Sequence, residues 1–94
     1  MAQINEIIRT NGEVLEVQPK NGTDFQLDEL QAIVGGLIEI IDIGYGEVMV
    51  VNEEGKFICE PNAVATIVAL ARKAIAPNDS IHGNVLVCNS NLIK

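Results

Sequence analysis

The sequence predicts an α+β domain: an antiparallel meander sheet of about five strands with two helices, one short (24–34) and one longer (62–75). Three observations carry this. Apolar runs of strand length alternate with Asn-Gly and Gly-x-Gly turn signals. "DELQAIV" has helical spacing and stops at Gly35-Gly36. A long apolar stretch lies between Asn62, a good N-cap, and Pro77. At 94 residues the chain reads as one domain, 1–94.

The elements follow in order. Asn11-Gly12 separates Glu6–Thr10 from Glu13–Pro19, a hairpin signal, because Asn-Gly supplies the positive-φ pair of a tight turn. Asn21-Gly22 closes that segment. Thr23 precedes Gln26 at capping-box spacing, and Asp24, Asp28 and Glu29 fall in the first turns, where the helix dipole favours negative charge. Leu27, Leu30, Ile33 and Val34 share one helix face. Gly35-Gly36 then turns the chain directly into a strand, Leu37–Ile43. The turn Gly44-Tyr45-Gly46 leads to a second strand, Glu47–Asn52, and Glu53-Glu54-Gly55 leads to a third, Lys56–Glu60. The first two of these strands are apolar on both faces and are expected to be central. In the second helix Val64, Ile67, Val68, Ala71 and Ile75 form the expected buried stripe, with Arg72-Lys73 in the last turns. That helix is apolar nearly all round, which points to two buried faces, one of them in an oligomer interface. Gly83–Cys88 is a short buried strand.

Composition bounds the function. The formal charge is −7, from 13 acids against 6 bases, which disfavours nucleic-acid phosphates and anionic membranes. There is no Trp, and Phe25, Tyr45 and Phe57 are too few for a base-stacking platform. The run from Glu39 to Glu60 holds six carboxylates against Lys56: a solvated face, or an acidic docking surface. Cys59 and Cys88 are far apart in sequence and are expected to be free buried thiols, with a disulfide as the alternative. With the single His82 they make no zinc set, and no metal or cofactor is expected. No basic-then-apolar leader and no membrane-length apolar run is read, so the chain is expected in the cytoplasm. No nucleophile–base set and no phosphate-binding loop can be assembled from local spacing, so no enzymatic activity is expected.

Two places invite a ligand. Glu39 shares a strand face with Leu37 and Ile41; it either reaches water at a sheet edge or accepts hydrogen bonds in a pocket. Asn52, Asn62 and Thr66 are polar groups beside apolar strands; they are either capping and turn residues or line a site at a helix N-terminus.

The order "LDELQAIVGGLIEI", "GEVMVVNEEGKF", "PNAVAT" and "IHGNVLVC" resembles an uncharacterised small domain family of phages and bacterial mobile elements, over Phe25 to Cys88. Asn84 stands where that family usually has an acid or Thr. The resemblance implies a host-takeover or anti-defence role in a bacterial cell. Such proteins are similar to sponge proteins that sequester nucleotide-derived immune signals, cyclic ADP-ribose isomers or cyclic oligonucleotides, between subunits of a homo-oligomer. On that reading Arg9, Lys56, Arg72 or Lys73 meets phosphates, and Glu39, Asn52, Asn62 or Thr66 meets ribose hydroxyls. The alternative is an acidic module that blocks or regulates a host protein.

Overall fold

The computed structural model describes residues 5–93. Five strands form one antiparallel sheet in the order β2-β1-β5-β4-β3: β1 (Glu6–Ile8), β2 (Val14–Glu16), β3 (Ile38–Gly44), β4 (Glu47–Asn52) and β5 (Val85–Asn89). The helices are α1 (Leu27–Val34), α2 (Gly55–Ile58) and α3 (Ala63–Ala71). The α+β class, the antiparallel five-strand sheet and the two longer helices are as expected from the sequence.

Strand alternation explains why β4 and β5 are apolar throughout. Val48, Val50, Leu86 and Cys88 face one way and pack under α1 through Leu30 and Val34, with Phe25 beside them. Met49, Val51, Val85 and Val87 face the other way and pack under α3 through Ala65 and Ala69. The sheet is therefore covered on both faces at β4 and β5, which have no solvent side.

Five expectations are corrected. Lys56–Glu60 is not a strand: β5 pairs with β4 and takes the place a third meander strand would occupy, while Gly55–Ile58 winds into α2. β3 is an edge strand rather than a central one, since no strand pairs with it on the side away from β4. The α1 cap is not Thr23: Asn21 Oδ1 accepts from the N–H groups of Thr23 and Asp24, both at 2.9 Å, and Gln26 is the cap. Glu29 supplies the returning half of the box, its Oε1 accepting from Gln26 N–H at 3.1 Å and its Oε2 from Lys20 N–H at 3.0 Å. Finally, α3 ends at Ala71 with Arg72 as C-cap. Lys73 takes φ +56°, its N–H donates to Leu70 O at 3.0 Å, and Ala74 N–H reaches back to Ala69 O at 2.9 Å. This is the glycine-type helix stop with a lysine in the left-handed position. The fully buried residues of α3 are Ala65 and Ala69; of the expected stripe, Val64 and Val68, with Ile75 beyond the helix, pack half-buried against the same core, whereas Ile67 and Ala71 face outward.

At the end of α1, Gly35 has φ +81°, and Gln31 O accepts from both Gly35 N–H and Gly36 N–H. The glycine pair acts as expected.

Both cysteines are free. Cys88 lies in the core, and burial pushes its thiol up to about 11, with Glu47 adding to the shift. Cys59 is half-exposed. A disulfide reagent applied to the native protein is expected to titrate Cys59 alone, with Cys88 reacting only on denaturation; equal rates would contradict this burial.

Candidate functional site

On the α3 side of the sheet, where β3 runs along the edge, a cleft of about 580 Å³ opens between the sheet, α2 and the segment 74–82 that leads into β5. The sheet contributes Glu39, Ile41 and Val51, α2 contributes Lys56 and Phe57, and the connecting segment contributes Asp79, Ser80 and His82.

Each wall has a local cause. Asn52 ends β4 and is buried; its Nδ2 donates to Val34 O at 3.1 Å and its Oδ1 accepts from Glu54 N–H at 2.7 Å, which ties the end of α1 to the start of α2. Gly55 opens α2 against the backbone of His82, where a Cβ would stand 2.7 Å from the carbonyl oxygen. Lys56 pairs with Asp79 across the cleft. His82 Nδ1 faces Cys59 O at 3.2 Å; a carbonyl only accepts, so Nδ1 carries the proton. Nε2 then accepts from the Ser80 hydroxyl at 2.9 Å. The Ser80–His82–Cys59 chain holds two of the cleft-lining side chains in place.

The hydrogen bond from Lys56 holds the Asp79 carboxyl below its ordinary value of 3.8, with the Ser80 N–H adding to the effect. A depressed carboxylate stabilises the fold above its unfolded value, and that contribution is lost as pH falls through the lowered folded value. Asp79→Asn is therefore expected to flatten the stability–pH curve below about pH 4, as followed by urea unfolding at stepped pH, and to leave its shape near neutrality alone. An unchanged acid limb would show that the pair contributes nothing.

The structure gathers three of the eight sequence-derived site residues at the cleft: Glu39, Asn52 and Lys56. Glu39 is exposed and makes no hydrogen bond or ion pair among the described residues. Asn52 is committed to the backbone. Asn62 is buried and fully engaged: Nδ2 donates to Ile8 O and to Gly83 O, both at 2.9 Å, while Oδ1 accepts from Ala65 N–H at 3.0 Å. Thr66 Oγ1 donates to Asn62 O at 2.7 Å and accepts from Ile81 N–H at 2.9 Å. Asn62 and Thr66 thus bond the backbone, in the manner of the capping alternative of the two sequence readings. Arg72 lies at the β3–β4 hairpin, donating to Ile43 O at 3.0 Å and to Glu47 at 2.8 Å, with its guanidinium 5.6 Å from the Tyr45 ring centre. Lys73 sits at the end of α3, and Arg9 pairs with Glu13 at the β1–β2 hairpin. These three cations do not line the cleft. Sequence reasoning missed Ser80 as a cleft residue and weighed His82 as a zinc ligand, not as a cleft residue; their spacing of two in an extended segment was the available signal.

A family model described as a domain of unknown function, DUF3846, matches residues 6–92. The chain belongs to the DUF3846 family. The match covers all five strands and all three helices of the fold. No curated protein and no solved structure matches this DUF3846 domain. Among its described residues no group of three or more His, Cys, Asp or Glu is placed to hold a metal ion, and no helix is long and apolar enough to cross a membrane.

Proposed function

We propose that this DUF3846 domain is a non-catalytic interaction module whose cleft receives a cationic segment of a partner protein, blocking or regulating that partner. The observation that supports it is the charge of the cleft. Glu39, Glu53 and Asp79 line it against Lys56, whose ammonium Asp79 already holds. The −7 chain charge adds long-range attraction for a cation. The test is fluorescence anisotropy of a lysine-rich peptide with the full chain, with a glutamate-rich peptide as control. The paired substitutions Glu39→Lys and Glu53→Lys are expected to weaken binding by roughly tenfold or more and to reduce its salt dependence. Equal binding of both peptides would overturn the reading.

A second reading, sequestration of a nucleotide-derived immune signal by a phage or mobile-element protein, is favoured by Phe57. It is 88% exposed and lines the same cleft as Lys56 and Glu39, so a stacking face, a cation and a hydroxyl acceptor share one site. Native mass spectrometry of the protein from a bacterial host tests it, since a retained nucleotide mass and the subunit number appear in one spectrum. A bare protein that no cyclic nucleotide shifts would remove this reading.

A further inference from the structure

The β3 edge shows how a cationic segment would be held. Leu37 O accepts from Glu53 N–H at 2.8 Å, so these two facing residues form a hydrogen-bonded pair. In an antiparallel ladder such pairs alternate, and the register sets Glu39 against Val51 and Ile41 against Met49. Glu39 and Ile41 therefore bond inward to β4. Ile38, Ile40 and Asp42 turn their N–H and C=O groups outward, where the sheet has no further strand. β3 is the longest strand of the sheet, and Ile40 is 46% exposed. Such an edge is a template for another chain unless it is short, bulged or covered. Here the bulge comes only at the far end, between Asp42 and Gly44.

We infer that the partner adds a β-strand to β3, with an apolar residue beside Ile40 and a basic residue beside Glu39 at the mouth of the cleft. This rests on the cationic-partner reading and extends it. Ile40 shares the α1 face with Ile38, whereas Glu39 and Ile41 share the α3 face, onto which the cleft opens. A strand laid along β3 sends alternate side chains to these two faces, so the site selects alternating apolar and basic residues. The main-chain bonds supply affinity that does not depend on sequence, and the cleft carboxylates supply the selection. A second copy of this chain fits less well, because it would bring the same carboxylates and another −7 charge to the same edge.

The experiment uses the full chain and a capped peptide alternating valine and lysine, with a version N-methylated along one edge and a version with glutamate in place of lysine. Ile40→Pro removes one outward donor and no inward bond, a change that an edge strand tolerates. Ile40→Pro and the N-methylated peptide are each expected to weaken binding by roughly tenfold or more. In the unmodified protein, the amides of Ile40 and Asp42 should exchange more slowly when the peptide is bound, which keeps the test valid if the proline variant is unstable. Unchanged binding by the N-methylated peptide, with loss on Glu39→Lys, would overturn strand addition and leave the cationic reading standing. Failure of the lysine peptide to bind would remove both. Self-association of the protein alone that Ile40→Pro abolishes would assign the edge to a second copy instead.

Discussion

Replacing Asn62 with alanine is expected to lower the unfolding free energy by about 3 kcal/mol, from a lost helix cap and two buried carbonyls left without a donor. The side chain is completely enclosed and joins three elements: the first turn of α3, the end of β1 at Ile8, and Gly83 just before β5. Total stabilities of single domains are about 5–15 kcal/mol, so this one side chain carries a large share. Urea unfolding at constant m-value measures it. Asn62→Asp separates the two contributions. The cap acceptor survives, but oxygen replaces the amide nitrogen against two carbonyl oxygens. The loss at neutral pH should then equal or exceed that of alanine. If Asn62→Asp were as stable as the parent, the two bonds to Ile8 and Gly83 would not be contributing.

Gly55→Ala is expected to cost about 1–3 kcal/mol and to reshape the cleft, because the new methyl group would meet a backbone oxygen rather than a flexible side chain. The gap is 2.7 Å to His82 O, so α2 or the segment at 80–83 must move. Lys56 and Phe57 ride on α2, so a shift there separates Lys56 from Asp79 and widens the mouth. The variant should therefore show a lower urea midpoint together with altered peptide binding. A stability loss with unchanged binding would place the working surface away from α2.

Much of the fold was legible because its signals are local. The Asn11-Gly12 hairpin, the Gly35-Gly36 stop and the β3–β4 hairpin depend on neighbours in sequence. What stayed hidden depends on neighbours in space. Nothing within Lys56–Glu60 says that the sheet position beside β4 is already taken by β5, so its residues read as strand. The helix stop at Lys73 carries no glycine, and so no visible mark.

The site was less legible still. Glu39 lines the cleft and stood out as a polar residue among apolar strand residues, whereas Lys56, which lines it too, entered only as a cation for phosphates. Asn52, Asn62 and Thr66 carry the same signal, but they point inward to bond the backbone, and side-chain direction is not written in residue type. The arginines that phosphate chemistry suggested are spent on Glu47 and Glu13 at two different hairpins.

The strand order has a consequence for how the molecule comes into being. The β1–β2 and β3–β4 hairpins can each close from near neighbours, but neither touches the other until β5 slides between them. As the ribosome delivers the chain, the two hairpins must wait as separate half-sheets, each with an inner rim open to the wrong partner, until Val85–Asn89 emerges. Joining them is then a long-range step, slow relative to hairpin closure. A nascent chain stalled before Val85 should be protease-sensitive throughout, and emergence of Val85–Asn89 should bring protection to both halves at once.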